Sequence, residues 1–277
     1  MDFNNKAVVI TGGATGIGFS FAKLLGQEGA KVLITGRRLD RLEEAVAALK
    51  EEKVDANFLQ CDSSKRDDVE KLAAHAWELY GQVDVLINNA GIGMPPAPTI
   101  DADLDQARQV FDVNFFGTWT CVQVFGKRFI EAGKPAAIFN VGSENCFFNA
   151  VPMSAGYIAS KHAMLAMTNA LREDTPDFLH IGLIIPGLVL SEMNDFTKNT
   201  GMPTDEFTAK AIEQMKDDQF YSVTHPYNME HINTRYEEVR GAYDKFAPRH
   251  EGDDAHDVRS IIAKMMAAAQ AQQSAEQ

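Results

Sequence analysis

Tyr157 and Lys161 are the two side chains in this sequence best suited to moving a proton. They lie four positions apart in a segment predicted to be helical, so they share one face of that helix. An ammonium group beside a phenol favours the phenolate, which predicts a pKa for Tyr157 below the usual value of about 10. The pair therefore predicts a general acid for ketone reduction and a general base for alcohol oxidation. The same spacing also occurs on ordinary helix surfaces. The position of the pair in the fold therefore decides whether it is catalytic or only part of a helix surface.

A glycine-rich turn follows the first predicted strand and begins a predicted helix. It reads Thr11-Gly12-Gly13-Ala14-Thr15-Gly16-Ile17-Gly18. Glycines let the backbone approach a pyrophosphate, and the amino end of a helix presents free N–H groups and a positive dipole to that anion. The turn predicts a nucleotide cofactor held by Gly12, Thr15, Gly16, Ile17 and Gly18. Since the spacing is not GxGxxG, a tight turn without a ligand stays open as the alternative.

The elements that would position these residues alternate regularly along the chain. Short β-branched or apolar runs predict strands at 7–11, 31–35, 56–60, 83–87, 136–141, 181–185 and 220–224. Amphipathic segments predict helices at 17–28, 39–53, 67–80, 104–132, 155–172 and 229–246. Strands separated by helices of this length require right-handed crossovers and a parallel sheet. The predicted fold is α/β, a single-domain Rossmann-type doubly wound parallel sheet of about seven strands with helices on both faces.

We expect this single domain to cover residues 1–250, with a substrate lid at about 188–217. After Gly187 the alternation of strands and helices loosens into sequence rich in Met, Asn and Thr. Residues 251–277 are expected to form a helical or frayed tail, because the chain from Ala267 onward is mostly Ala and Gln.

The composition excludes several classes of function. The chain has 277 residues, with 26 Lys and Arg against 39 Asp and Glu, which gives a net charge of −13. Such an acidic protein is repelled by phosphate backbones and anionic membranes, so we expect no nucleic-acid and no membrane partner. The most apolar stretch, 181–190, has ten residues and contains Pro186, and is too short to cross a bilayer.

Neither a metal site nor a disulfide framework is indicated. The three cysteines, Cys61, Cys121 and Cys146, form no CxxC pair, and the seven histidines include no HExxH. The first six residues do not match a secretion signal. We therefore expect a cytoplasmic protein with reduced thiols.

Further motifs follow in a characteristic order. They are Thr11-Gly12-x-x-x-Gly16-x-Gly18, Asn88-Asn89-Ala90-Gly91, Asn114, Ser143, Tyr157-Ile158-Ala159-Ser160-Lys161 and Pro186-Gly187. This set, which covers about residues 5–190, resembles the compact single-domain branch of the short-chain dehydrogenase/reductase superfamily. The resemblance implies an NAD(P)(H)-dependent oxidoreductase that transfers a hydride between nicotinamide and a ketone or secondary alcohol.

The resemblance also implies roles for individual residues. Ser143 would hydrogen-bond the substrate oxygen, and Asn114 would hold a water in a proton relay through Lys161, which would also bind the nicotinamide ribose. Asp62, with Ser63 beside it, would contact adenine, although an acid at a helix start is the alternative for Asp62. Asn89, Ala90 and Gly91 would contact the adenosine ribose, and the nicotinamide end would meet Pro186, Gly187, Val189 and Ser191. Because Ser143 and Tyr157 are fourteen positions apart rather than the more usual thirteen, we expect the loop 144–156 to bulge by one residue.

The residues after the second strand favour NADP(H), with NAD(H) possible. In NAD-using members of the family an acid stands directly after this strand, whereas here the position is Gly36, followed by Arg37 and Arg38. A guanidinium suits a 2′-phosphate through forked, charge-assisted hydrogen bonds. The alternative is that both arginines line a solvated loop.

Two loops predict a bulky, apolar, even aromatic ketone or secondary alcohol as the small-molecule substrate. The loop 144–156 holds Cys146, Phe147, Phe148, Val151 and Met153, and the stretch after Gly187 holds Leu188, Leu190, Met193, Phe196 and Met202. Apolar side chains on loops beside a reactive centre suit a hydrophobic ligand. With only Lys198 between Leu188 and Pro203, a phosphorylated or carboxylate substrate would lack a cationic partner. Packing against a neighbouring subunit is the alternative.

Other functions remain open beside the oxidoreductase. One is a catalytically silent nucleotide-binding sensor or scaffold with the same fold, and another is an isomerase or dehydratase. The presence of Asn114, Ser143, Tyr157 and Lys161 together argues against a silent protein. By resemblance, the helices at 104–132 and 155–172 would form the interface of a homodimer or homotetramer.

Overall fold

A computed structural model of the chain describes residues 1–191 and 200–275. The chain forms two compact units, Met1–Asn228 and Met229–Gln277. The first unit is built on one seven-stranded sheet with the order β3-β2-β1-β4-β5-β6-β7. Its strands are β1 (Ala7–Thr11), β2 (Lys31–Gly36), β3 (Asp55–Gln60), β4 (Val85–Asn88), β5 (Ala136–Val141), β6 (Leu179–Ile185) and β7 (Tyr221–Val223). Every neighbouring pair is parallel, which confirms the predicted fold class.

Helices cover both faces of the sheet. They are α1 (Gly16–Gln27), α2 (Leu39–Glu51), α3 (Arg66–Tyr80), α4 (Leu104–Phe111), α5 (Thr118–Ala132), α6 (Ala155–Asp174) and α7 (Thr204–Lys216). Side chains alternate across a strand, so Val8 and Ile10 of β1 pack with α1, α2 and α7, whereas Val9 packs with α3, α5 and α6. Both faces of β1 are therefore buried, as its unbroken apolar sequence predicts.

The predicted helix at 104–132 is interrupted. Between α4 and α5, residues Asp112–Gly117 form a π-helical segment that contains Asn114. Insertions of this kind are often found at functional sites, because the wider turn redirects backbone and side chains. The sequence analysis predicts one continuous helix here and does not indicate the insertion.

Helix α7 is absent from the sequence-based prediction. It lies in the stretch predicted as a substrate lid, and Phe207, Ala211, Ile212 and Met215 of this helix are buried in the core beside α1. Before it, Met202 pairs with Leu188 and Leu190 through two backbone hydrogen bonds of 2.8 and 2.9 Å. Met193, Phe196 and Lys198 of the predicted lid lie outside the described residues, so the lid itself stays a prediction.

The second unit is helical. Helix α8 (Asn228–Phe246) begins at the last residue of the first unit, and α9 (Val258–Ala275) follows a short 3₁₀ turn at Asp253–His256. Within the tail predicted at 251–277, α9 extends from Val258 to Ala275.

The residues that the structure describes contain no helix with both the length and the apolarity needed to cross a membrane. Within the same ranges, no group of three or more His, Cys, Asp or Glu side chains is placed to hold a metal ion. The three cysteines are buried and unpaired with one another.

Candidate active site

A cavity of about 290 Å³ lies at the carboxyl edge of the sheet in the first unit. Its wall contains most of the predicted site residues, namely Gly12, Thr15, Gly16, Ile17, Arg37, Arg38, Asp62, Ser63, Asn89, Ala90, Gly91, Ser143, Tyr157, Lys161, Pro186, Gly187, Val189 and Ser191. Gly18 and Asn114 are predicted site residues that do not line it. Lining residues that the sequence analysis missed include Thr35, Cys61, Ile92, Val113 and Val141. Thr35, Cys61 and Val141 could have been found from the strand order, and Ile92 and Val113 from their places beside Gly91 and Asn114.

The glycine-rich turn is held against the end of β4. The Thr11 hydroxyl oxygen accepts hydrogen bonds from the backbone N–H groups of Asn89 and Ala90, each at 3.0 Å. The Asn89 amide in turn donates to the carbonyls of Thr11 and Gly12, at 3.1 and 2.9 Å. Gly12 has a φ of +64°, and a Cβ there would lie 2.9 Å from the Ala90 Cα. Only glycine combines a positive φ with such a close approach to Ala90. The glycine-rich turn and the Asn88-Asn89-Ala90-Gly91 segment therefore pack as one unit.

The amino end of α1 is open to an anion. Thr15 precedes the helix but its side chain makes no capping hydrogen bond, and the first turn contains no acidic residue. The first N–H groups of a helix have no partner within it, and here Gly16 and Ile17 line the cavity. The residues present therefore fit the pyrophosphate of a dinucleotide, as the turn predicts.

The far end of the cavity is lined by Arg37, Arg38 and Asp62. Both arginines are exposed, and the Arg37 carbonyl accepts a 2.8 Å hydrogen bond from the Gln60 side chain. One Asp62 carboxylate oxygen accepts from the backbone N–H and the hydroxyl of Ser64, at 3.1 and 2.7 Å. Asp62 therefore shapes the turn before α3 while also forming part of the wall.

Ser143, Tyr157 and Lys161 converge on the opposite end of the cavity. Ser143 follows β5, whereas Tyr157 and Lys161 lie in the first two turns of α6. The Lys161 ammonium is buried, donates a 2.9 Å hydrogen bond to the Val141 carbonyl and lies 5.8 Å from the centre of the Tyr157 ring. A hydroxyl, a phenol and an ammonium group thus share one wall.

The expected pKa of Tyr157 is wrong in direction. The surface of Tyr157 is half-buried, and its side chain lines the cavity. Loss of hydration raises the pKa of Tyr157 to about 12, although a hydrogen bond from Ser143 opposes this rise. Loss of hydration also lowers the pKa of Lys161 to about 8. Burial disfavours the charged form of each group, and it is the largest cause of both pKa shifts.

Asn114 lies behind the wall and is fully buried in the π-helical segment. Its side-chain oxygen accepts a 2.8 Å hydrogen bond from the Ile92 N–H, and its amide donates to the Ile92 carbonyl at 3.0 Å. The same amide donates to the Ser160 hydroxyl at 3.2 Å, and Ser160 donates to the Tyr157 carbonyl at 2.7 Å. Asn114 therefore ties the chain after β4 to the helix that carries Tyr157.

A buried chain of polar side chains connects the sheet to α6. The Asn88 amide donates to the Asn140 side-chain oxygen at 2.8 Å, and the Asn140 amide donates to the Thr168 hydroxyl at 3.0 Å. Buried amides need such partners to offset the loss of hydration, so these bonds select one position of α6 against β4 and β5. Asn140 and Thr168 carry no sequence signal for this role.

The Pro186-Gly187 turn is packed by two aromatic side chains that follow β7. The Gly187 N–H donates to His225 Nδ1 at 3.2 Å, and a Cβ on Gly187 would lie 2.6 Å from His225 Cγ and 2.7 Å from the Tyr227 hydroxyl oxygen. His225 is buried, and its lost hydration lowers its pKa. A neutral His225 can accept this hydrogen bond at Nδ1.

Lys161 should make stability depend on pH in a defined direction. Its pKa is about 8 in the folded protein against a usual 10.5, so between these values the unfolded chain binds the extra proton. The free energy of unfolding of the native protein should therefore rise with pH, relative to Lys161→Met, from about pH 8 to about pH 10. Urea unfolding at several pH values measures this difference. Lys127→Met, at an exposed lysine on α5, is the control, and parallel curves for the native protein and Lys161→Met would contradict the assignment.

Comparison with known proteins identifies the family. The model of the family described as short chain dehydrogenase matches residues 6–202. The 1-deoxy-11-beta-hydroxypentalenate dehydrogenase of Streptomyces avermitilis is 30% identical over 86% of this chain and 92% of that protein. The 3beta-hydroxysteroid dehydrogenase of Mediterraneibacter gnavus is 36% identical over 62% of this chain and 61% of that protein.

A solved structure has the same architecture over nearly the whole chain. A short-chain dehydrogenase from Novosphingobium aromaticivorans, 25% identical, covers 98% of this chain and 99% of its own with a TM-score of 0.84. These similarities support an NAD(P)-dependent dehydrogenase that acts on alcohols. The match over residues 6–202 shows that the chain belongs to the short-chain dehydrogenase family.

Proposed function

We propose that this protein is an NADP(H)-preferring oxidoreductase acting on bulky, apolar secondary alcohols and the corresponding ketones. The observation that carries the proposal is the convergence of Ser143, Tyr157 and Lys161 on one end of a cavity whose other end is lined by Arg37 and Arg38. A phenol and a hydroxyl suit a substrate oxygen, whereas the glycine turn and the arginines suit a phosphorylated dinucleotide.

In the proposed mechanism, Tyr157 donates a proton to the substrate oxygen during reduction and accepts it during oxidation. With its pKa raised to about 12, the phenol is protonated near neutral pH and carries the proton that a ketone oxygen would accept, although it gives this proton up less readily than an acid with a pKa near the working pH. When bound, the nicotinamide supplies the hydride in one direction and accepts it in the other. Ser143 donates a hydrogen bond to the same substrate oxygen, so that developing negative charge is stabilised while the proton arrives.

Lys161 and Asn114 support this step. We infer that Lys161 binds the nicotinamide ribose and supplies positive charge beside Tyr157, because its ammonium is in the cavity wall and is anchored to Val141. Asn114 holds the start of α6 through Ser160, and we propose that it also positions a water for a proton relay through Lys161.

Replacing Tyr157 by Phe tests the proton step. Tyr157→Phe keeps the ring and its packing but removes the ionisable oxygen, so turnover should fall by at least about a hundredfold. Initial rates followed at the nicotinamide absorbance band measure turnover, and cofactor fluorescence should show unchanged binding. Tyr80→Phe, at the end of α3 and outside the cavity wall, is the control. Near-normal turnover in purified Tyr157→Phe would refute the role.

The preference for NADP(H) rests on charge at the adenosine end. Gly36 ends β2 without a carboxylate, and the exposed Arg37 and Arg38 both line the cavity. A carboxylate at this position would hold a ribose 2′-hydroxyl and repel a 2′-phosphate, whereas a guanidinium attracts the phosphate.

Removing both guanidinium groups should reverse this preference. In the double variant Arg37→Ala/Arg38→Ala, we expect kcat/KM for NADPH to fall about tenfold or more, because charge-assisted bonds to the phosphate are lost, while kcat/KM for NADH changes little. Steady-state kinetics with both cofactors measure the change. Arg66→Ala, at an exposed arginine paired with Glu70 outside the cavity, is the control. A clear NAD(H) preference in the native protein would refute the proposal.

The substrate proposal rests on apolar side chains of the loop 144–156, which directly follows Ser143 in the chain. Phe147 is partly buried and its ring centre lies 5.9 Å from that of Tyr221, while Val151 and Met153 of the same loop are exposed. Two relatives support the same class, since their names describe a hydroxypentalenate and a hydroxysteroid as substrates. We propose a substrate with an apolar carbon framework rather than a sugar or a short polar acid.

A substrate panel separates these classes. We expect the highest kcat/KM for steroid and aryl ketones or alcohols, because their apolar surface can be buried against the loop 144–156. Small hydroxy acids and sugars serve as the comparison compounds. A best kcat/KM with a small polar compound would overturn the substrate class, whereas bound cofactor without turnover on any compound would favour the sensor or scaffold.

We also propose that the protein forms a homodimer or homotetramer through α5. Phe116, Trp119 and Ile130 on or next to this helix are exposed over about half of their residue surface, at 51%, 42% and 47%. Exposed aromatic and aliphatic groups of this size are typical of protein–protein interfaces.

A further inference from the structure

Asn145 lies two residues after Ser143 and is almost completely buried, with 2% of its surface exposed. Its side-chain oxygen accepts hydrogen bonds from the backbone N–H groups of Ala150 and Val151, at 3.0 and 3.2 Å. A backbone N–H can only donate, so these two contacts determine which end of the amide is the oxygen. The amide nitrogen therefore faces the opposite direction, toward Ser143.

Two donors from Asn145 meet the Ser143 hydroxyl oxygen. The side-chain amide donates to Ser143 Oγ at 3.1 Å, and the backbone N–H of Asn145 donates to the same atom at 3.2 Å. A serine hydroxyl has two acceptor positions and one donor. Because Asn145 occupies both acceptor positions and offers no acceptor to Ser143, the serine proton must point away from it.

The direction of that proton matters for the chemistry. A ketone oxygen only accepts hydrogen bonds, as does the alkoxide that develops during oxidation, so the serine must donate to be useful. A serine hydroxyl that is free to rotate could instead accept a hydrogen bond from the Tyr157 phenol. It would then compete with the substrate oxygen for the proton of Tyr157.

We propose that Asn145 is a positioning residue that makes Ser143 a dedicated hydrogen-bond donor to the substrate oxygen. This inference rests on the proposed oxidoreductase function and adds to it a residue that does not itself line the cavity. Asn145 has two separable functions. Its oxygen folds the loop 144–156 back at Ala150 and Val151, and its amide nitrogen orients Ser143.

Asn145→Asp separates the two functions. The aspartate keeps the oxygen that accepts from the loop amides and nearly the same shape, but it replaces the donor to Ser143 by an acceptor. The serine proton can then turn toward the carboxylate. We expect kcat to fall about tenfold or more while the dissociation constant of the cofactor changes little, and burial of the new carboxylate lowers the melting temperature.

The matched control is Asn5→Asp, which adds the same charge at an exposed position before β1, outside the cavity wall and the loop 144–156, and should leave kcat unchanged. A double-mutant cycle with Ser143→Ala identifies the route of the effect. If Asn145 acts through Ser143, Asn145→Asp should lower kcat little further once the hydroxyl is gone. Additive losses in the cycle, or an unchanged kcat in Asn145→Asp, would overturn the proposal.

Neutron diffraction of the native protein shows the direction of the Ser143 proton without an activity assay. The expected map has a deuterium on Asn145 Nδ2 directed at Ser143 Oγ, with the serine deuterium directed away from Asn145. A serine deuterium directed at Asn145 would overturn the inference even in an active enzyme. If instead the map is as expected and no alcohol or ketone is turned over, the proposed function fails and the hydrogen-bond assignment stands.

Discussion

The parallel alignment of the seven strands is the constraint on which the rest of the molecule depends. Parallel strands end at the same edge, so turns that are far apart in sequence must lie side by side there. The glycine turn after β1, the Asn89-Ala90-Gly91 segment after β4 and Ser143 after β5 meet in one cavity for this reason. Crossover helices begin at the same edge, which brings the amino ends of α1 and α6 to that cavity.

Buried hydrogen bonds convert this general arrangement into a defined geometry. Asn88 and Asn140 are paired in the register of β4 and β5, and their side chains continue to Thr168 on α6. A shift of register would leave buried amides without partners, which costs about 1–3 kcal/mol for each group. The π-helical segment adds a second link, from Asn114 through Ser160 to the backbone of Tyr157. Helix α6, which carries Tyr157 and Lys161, is therefore positioned by polar contacts as well as by apolar packing.

The electrostatics of the cavity differ from those of the whole chain. The net charge of −13 would repel a phosphorylated cofactor at long range, whereas the first turn of α1, Arg37 and Arg38 present positive groups where the phosphates would bind. At the other end, burial keeps the Tyr157 phenol protonated and lowers the pKa of Lys161 to about 8. One wall of the cavity thus holds a protonated phenol and a lysine whose pKa lies near the neutral range.

Much of the fold and of the candidate site follows from the sequence, because the signals are local. Unbroken apolar runs predict the buried parallel strands, and the bounds of β1 and β5 agree with their predicted ranges. The glycine turn, the Tyr157-Lys161 spacing and the order of the motifs depend on neighbouring residues or on strand ends. They therefore indicate the family, the cavity and most of the residues in the cavity wall before the structure is known.

Other features depend on contacts between distant residues, and only the tertiary structure decided them. The π-helical turn at Asn114 follows from bonds to Ile92 and Ser160, and α7 is stabilised mainly by packing beside α1. The pKa of Tyr157 rises although its spacing from Lys161 predicts a fall, because burial depends on everything around the phenol. The sequence by itself determined most of the groups that meet at the sheet edge. Their protonation, orientation and partners were decided by folding, because desolvation and hydrogen-bond direction arise only when the surrounding elements close around them.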